Sequence, residues 1–275
     1  MKIQYLGTAA AEGVPALFCD CEVCRKARAL RGKLVRTRSQ ALIDDQLLID
    51  YPPDAFSHFL TYKIDTTKIR NLLITHVHED HFYPPDFAYI RPHAFSTPPE
   101  DYKLRIYGSE DLVEPLAEAV EKSNGQLEVV VVKPFEPFEV GEYRVTALKA
   151  THGTAHPYIY LIEKGKTAML YANDTGIFPE ETIAYLSEHC PKLALVSFDC
   201  TGGAAQDLSY DSHMCLGRAS YLRDEMDYAG FLTPKTIAVL THFSHNGEQV
   251  SYDEFEDLAI NEGFLTAYDG MIAEF

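Results

Sequence analysis

At 275 residues, with 46% hydrophobic and 24% charged side chains, the chain has the composition of an ordinary globular protein and the length of one large α/β domain. A formal charge of −17 repels phosphate backbones and supplies few cations for counterion release, which disfavours extended RNA or DNA as a partner. No apolar run approaches a membrane span and no leader pattern precedes the first strand, so the expected location is the cytoplasm, where six cysteines are thiols or metal ligands rather than disulfides.

Met1 to Leu6 alternates as a strand and runs into the small-residue loop Gly7 to Pro15. Cys19, Cys21 and Cys24 follow. A disulfide within so short a loop is strained, whereas three thiolates at this spacing can wrap one tetrahedral ion and leave one corner open. The competing reading is three unrelated buried thiols. Arg25 to Arg31 reads as a short helix with a solvated basic face. Gln40–Ile43 and Gln46–Ile49 read as two strands turning at Asp44 and Asp45. Asp54 then caps a helix to Tyr62, in which His58 is a packing or surface residue.

The apolar strand Asn71 to Ile74 delivers the densest chemistry in the chain, Thr75-His76-Val77-His78-Glu79-Asp80-His81. His76 and His78 share one side of the backbone, and Asp80 and His81 follow on a turn toward a second point. Imidazole and carboxylate are the ligands of zinc, manganese and ferrous iron, and this density at a strand end has few other uses. The proline- and aromatic-rich stretch 82–100 reads as loop, either a wall of a substrate pocket or a structural cover.

Further elements are the strand Leu104–Tyr107, the helix Glu110–Lys122 and the strand Leu127–Val132. The strand Tyr143–Leu148 ends near His152, and Thr167–Tyr171, paired with Tyr158–Ile162, ends near Asp174. A helix over Pro179–Glu188 precedes the strand Leu193–Phe198, which ends at Asp199. Ser212 to Met226 is expected to be a helix with His213 near its start. Lys235–Leu240 closes on His242, ahead of an acidic helix over Asp253–Glu262 and a last strand over Tyr268–Ala273. Strands thus terminate before His76, His152, Asp174 and His242, the arrangement by which layered α/β proteins gather functional groups on one rim. The strands and helices fall into two comparable series, 1–135 and 136–275, expected to pack face to face within a single domain 1–275.

In this order His76, His78, Asp80, His81, His152, Asp174 and His242 resemble the signature of the metallo-β-lactamase superfamily. The resemblance spans nearly the whole chain and implies an α/β fold, the αββα four-layer sandwich, with two mixed β-sheets face to face and helices outside. Gly13-Val14-Pro15, the three cysteines, Asn173-Asp174-Thr175, Asp199-Cys200 and Thr241-His242-x-Ser244-His245 look like the phosphoribosyl cyclic phosphodiesterase group within it.

That resemblance implies His76, His78 and His152 on one divalent ion, Asp80, His81 and His242 on a second, and Asp174 between them. The ions are zinc or manganese, or iron. It also implies one structural zinc held by Cys19, Cys21, Cys24 and His245. His213 matches an additional active-site histidine by position only, and the Cys200 to Asp211 segment has no close match.

The implied activity is hydrolysis of a small, anionic, cyclic or linear phosphodiester through a metal-bridging hydroxide. Asp80 and His213 are the candidate catalytic residues, His213 as general acid or phosphate contact or, alternatively, as a structural histidine. Asp199 is a candidate to orient a ligand imidazole. His156 competes with His152 for the ligand role, and His93 and His189 read as surface residues. The alternatives are a lactonase or thioesterase on the same centre, or a non-hydrolytic metal-binding or cofactor-biosynthesis protein. A tRNA nuclease lacks its gripping arm here. No nucleic acid or membrane partner is expected, and a homodimer is the candidate assembly.

Overall fold

The computed structural model describes residues 1–248 and 251–275. One seven-stranded sheet contains, in chain order, β1 (Lys2–Gly7), β2 (Gln40–Ile43), β3 (Leu47–Ile49), β4 (Asn71–Leu73), β5 (Leu104–Gly108) and β6 (Leu127–Val131), with β14 (Ile272–Glu274) added beside β1. The second seven-stranded sheet runs β13 (Leu265–Thr266), β12 (Ile237–Thr241), β11 (Leu195–Asp199), β10 (Thr167–Ala172), β9 (Tyr158–Lys164), β8 (Tyr143–Lys149) and β7 (Phe138–Val140). Both sheets are mixed: β3 to β6 are parallel neighbours, as are β10 to β13, while β1, β2 and β7 to β9 pair antiparallel.

β2, β3 and β11 are buried along their whole length, the pattern of strands covered on both faces. Between the sheets lies a core that includes Tyr5, Ile43, Leu73, Tyr160, Met169, Tyr171, Leu195 and Val239. A second apolar layer behind the first sheet packs against α2 (Ala55–Thr61) and α3 (Val113–Lys122), and a third behind the second sheet against α4 (Glu180–His189), α5 (Leu216–Tyr228) and α6 (Tyr252–Asn261). This is the four-layer αββα sandwich. Large tyrosines serve the inner layer because their rings add apolar area, and the hydroxyls of Tyr5 and Tyr160 find partners in Ser197 and the Ile74 carbonyl. Tyr160 donates to the Ile74 carbonyl at 2.6 Å and Tyr158 N–H to the Thr75 carbonyl at 2.9 Å. The second sheet thereby holds the loop that leaves β4.

Several sequence expectations need correction. His213 is not on a helix: α5 starts at Leu216, because Asp199 Oδ1 accepts from Met214 N–H at 2.8 Å and holds residues 212–214 in an irregular path. The Glu110–Lys122 segment begins as a 3-10 turn over Glu110–Leu112 before becoming α-helical. The C-terminal strand is Ile272–Glu274 rather than Tyr268–Ala273, and the short strands β7 and β13 add to the elements expected from sequence. Of the two readings of His58, packing or surface, the structure gives the first: it is buried, 3% exposed. Residues 84–89 form a 3-10 helix, and Tyr83, Asp86, Phe87, Tyr89 and Ile90 line a groove of about 700 Å³ against α2 on the outer face of the first sheet. None of the histidines at the strand tips lines that groove.

Candidate metal centre

The site is assembled from strand tips, and its positions are set from behind. Beyond β3, Asp50 adopts a left-handed backbone (φ 63°) and is fully buried. Its Oδ1 accepts from the Thr75 N–H at 2.8 Å and from the Thr75 hydroxyl at 2.9 Å, fixing the exit from β4. Its Oδ2 accepts from His81 Nδ1 at 2.7 Å, which leaves His81 Nε2 facing inward. His81 N–H and Phe82 N–H both donate to the His78 carbonyl, so Asp80 and His81 sit on a tight turn.

From the other sheet, Asp174 and His242 also take left-handed conformations, φ 53° and 62°. Such backbone angles cost free energy in non-glycine residues and persist where surrounding structure enforces them, commonly at functional sites. His242 Nδ1 lies 2.8 Å from the Thr201 hydroxyl and 3.2 Å from Asp199 Oδ2, again directing Nε2 inward. Asp199 is itself fully buried and also accepts from Thr201 N–H and Met214 N–H.

The structure gathers His76, His78, His152 and Asp174 into one group of donor atoms and Asp80, His81, Asp174 and His242 into another. Asp174 Oδ2 belongs to both, 3.1 Å from His76 Nε2 and 3.1 Å from His81 Nε2. Ring nitrogens face each other closely: His76 Nε2 to His78 Nδ1 at 3.0 Å, His152 Nε2 to His78 Nδ1 at 3.1 Å, His81 Nε2 to His242 Nε2 at 3.2 Å. Asp174 Oδ1 is buried without a hydrogen-bonding partner of good geometry.

His213 lies at the edge of this cluster, its Nδ1 3.0 Å from Asp174 Oδ1 and 3.2 Å from Asp199 Oδ2. Burial opposes its charge, but the two carboxylates outweigh burial and push its pKa up to about 10. The ring stacks on His242 at 5.8 Å, and Tyr210 meets it edge-on at 6.0 Å. His156 is not in the cluster; its Nδ1 lies 2.9 Å from Asp111 Oδ2. Neither His93 nor His189 belongs to any group of metal-competent side chains among the described residues.

A separate group joins Cys19, Cys21, Cys24 and His245. His245 Nδ1 is 3.6 Å from both Cys19 Sγ and Cys21 Sγ. Cys21 caps α1 (Glu22–Leu30), its sulfur accepting from Cys24 N–H. Burial raises its pKa, but that hydrogen bond, His245 and the neighbouring thiols lower it further, to about 6, favouring the thiolate.

Asp50, Thr75 and Thr201 were not singled out from sequence. Asp50 carried a usable signal, since it too ends a strand, ahead of Tyr51-Pro52-Pro53. The two threonines act through hydroxyls next to a histidine or two residues past an aspartate, positions without a distinctive local pattern.

The beta-lactamase superfamily domain model matches residues 46–243, a span that omits Cys19, Cys21, Cys24 and His245. Among solved structures the chain is similar over its full length to a diphosphatase from the PhnP family (TM-score 0.76, 23% identity, 98% of that chain) and to Zn(2+)-bound PqqB from Methylobacterium extorquens (0.71, 18%, 100% of that chain). It is likewise similar over its full length to the short form of human tRNase Z (0.68, 17%, 99% of that chain). A curated octanoyltransferase of Porphyromonas gingivalis (strain ATCC BAA-308 / W83) is 27% identical over 164 residues, which are 56% of this chain and 31% of that protein, so the chain spans about a third of the relative's length. With the family model covering most of the chain and the sandwich and strand-tip cluster in place, this protein belongs to the metallo-β-lactamase superfamily of metal-dependent hydrolases.

Proposed function

We propose that the chain is a hydrolase dependent on two metal ions and acting on a small phosphodiester, cyclic or linear. The observation that carries this reading is the sharing of Asp174 Oδ2 between two histidine groups. The donor set fits two ions: tetrahedral zinc with bonds of about 2.0–2.1 Å to nitrogen separates its ligands by about 3.3 Å, close to the facing nitrogens seen here. Without a cation between them, ring nitrogens facing one another at 3.0 to 3.2 Å are poorly satisfied.

His76, His78 and His152 would hold one ion, Asp80, His81 and His242 the other, and Asp174 both. A pair of divalent ions supplies an activated water near neutral pH and neutralises phosphate charge. The chain's own residues do the rest. Asp50 and Asp199 hold His81 and His242 in the tautomer that presents Nε2. His213 has its Nδ1 beside Asp174 and Asp199, whose carboxylates raise its pKa, and its Nε2 is the ring nitrogen left to meet a phosphate oxygen or protonate a leaving alkoxide. The charge of −17 favours a small substrate whose anionic group is met locally.

Cys19, Cys21, Cys24 and His245 fit a structural zinc. Bonds of about 2.3 Å to sulfur and 2.0–2.1 Å to nitrogen place tetrahedral S and N ligands about 3.6 Å apart. Four protein ligands close such a site. We treat residues 1–275 as a single hydrolase domain, since β14 returns to pair with β1.

The partial match to an octanoyltransferase supports a second reading, hydrolysis of an acyl ester or thioester on the same centre. Zinc- or manganese-loaded protein assayed against a cyclic ribose phosphodiester, an aryl phosphodiester, a lactone and an octanoyl thioester separates the two. Turnover of the phosphodiesters is expected. Turnover of the acyl substrates alone overturns the first reading.

A further inference from the structure

Residues 207–213 cross the edge of the candidate centre without regular structure, and no backbone–backbone hydrogen bond anchors them among the described residues. They nevertheless touch the centre repeatedly. The Ser212 carbonyl lies 3.2 Å from His152 Nδ1, and His213 sits against Asp174 and Asp199. The Asp211 carbonyl presses on Gly176, where a Cβ would lie 1.7 Å from that oxygen, so the segment seats directly on the turn that follows Asp174.

Asp199 holds the end of this segment through His213 and Met214 N–H, and one side chain from the first turn of α5 holds the rest. Arg218 Nη1 donates to the Tyr210 carbonyl at 2.7 Å and reaches the His213 carbonyl at 3.4 Å. Its Nη2 donates to the Leu208 carbonyl at 2.8 Å, and its Nε to Asp207 Oδ1 at 2.7 Å. The Arg218 side chain is 15% exposed, whereas those of Asp207 and Asp211 are 78% and 91% exposed. Ion pairs to such exposed carboxylates contribute little, so the fork's bonds to main-chain carbonyls are what define the path of the segment. A planar guanidinium with five fixed donors suits that task; an ammonium does not span the same acceptors.

We propose that Arg218 is a positioning residue: by clamping the backbone of 207–213 it presents His213 to the substrate side of the centre and keeps the Ser212 carbonyl on His152. The part that concerns turnover rests on the reading of His213 given above. The part that concerns ring placement does not.

The test uses the full-length, zinc-loaded protein and reads two quantities. The first is the ring-nitrogen NMR shifts of His213 and His152 in Arg218→Ala and Arg218→Lys. Both resonances are expected to move in both variants, because lysine restores charge without the fork. The second is phosphodiester turnover, where kcat should fall about ten- to a hundredfold in Arg218→Ala, the scale of a misplaced catalytic group, and by clearly less in a His213→Ala background. Unmoved ring resonances overturn the proposal, as does, where His213→Ala itself lowers turnover, the same fold-loss in both backgrounds. If His213→Ala alone leaves turnover intact, the role of His213 fails, and the NMR shifts alone decide whether Arg218 places the ring. Asp207→Asn, which keeps the carbonyl contacts, is expected to leave both resonances in place.

Discussion

His81 and Asp50 meet through Nδ1 and Oδ2 at 2.7 Å, with both side chains fully excluded from water. That bond fixes which nitrogen of His81 faces the candidate second ion, and Asp50 simultaneously holds the Thr75 N–H and hydroxyl. Replacing Asp50 by Ala therefore removes a support and leaves a buried N–H unpaired. Loss of such an outer partner typically weakens metal binding about ten- to a hundredfold, and the unpaired donor costs about 1–3 kcal/mol. Asp50→Ala should show both: weaker affinity for the second equivalent of zinc or manganese by calorimetric titration, and a lower Tm. An unchanged metal isotherm would remove Asp50 from the site.

Asp174 and His152 should differ in how many ions they cost. Because Asp174 Oδ2 lies 3.1 Å from a histidine of each group, Asp174→Ala is expected to weaken retention of both ions. His152 faces only His78 and the first group, so His152→Ala is expected to weaken one. Elemental analysis after dialysis checks this directly. Equal stoichiometries in the two variants would contradict a shared carboxylate.

The cysteine group makes a different prediction. It ties the loop before α1 to His245, three residues beyond His242, while contributing no atom to the histidine cluster. If this group holds zinc, Cys24→Ser should bind one equivalent less and have a lower Tm, while correctly folded molecules keep most of their turnover. Burial holds the Cys24 thiol up at about 11, so metal must displace its proton, and zinc occupancy of this site should fall as pH drops. A variant with normal Tm and normal zinc content would show that no ion is held there.

How far these features were readable from sequence follows from how local they are. The strand tips carrying His76, His152, Asp174 and His242 were legible because strand periodicity and ligand chemistry are both short-range signals, and the two sheets divide the chain near residue 135 apart from β14. The start of α5 was not legible, because what keeps residues 212–214 out of the helix is a carboxylate on β11, Asp199. Arg218 reads as an ordinary helix cation until the backbone carbonyls it reaches are known. β7 and β13, at three and two residues, are too short for periodicity to register and exist through pairing with β8 and β12.

The pH dependence of stability offers a test away from the candidate centre. His58 on α2 is buried, its Nδ1 2.7 Å from Gln40 Oε1 and its Nε2 2.6 Å from the Thr37 hydroxyl. Gln40 Nε2 donates to the Asp50 carbonyl, so its Oε1 is the face turned to His58, and the neutral ring donates from Nδ1. Burial depresses the His58 pKa to about 4, only partly offset by Asp54. The unfolded chain, with an ordinary histidine near 6.5, binds that proton first as pH falls. The stabilisation from neutral His58 is therefore complete above about 6.5, declines between about 6.5 and 4, and is gone below, roughly 3 kcal/mol in all. His58→Gln removes the titrating group while keeping a polar side chain. Denaturant unfolding at a series of pH values should then show the wild type losing stability more steeply than the variant across that window, with the two curves parallel above it. Parallel curves throughout would mean that His58 takes up its proton in the folded protein at its ordinary pKa.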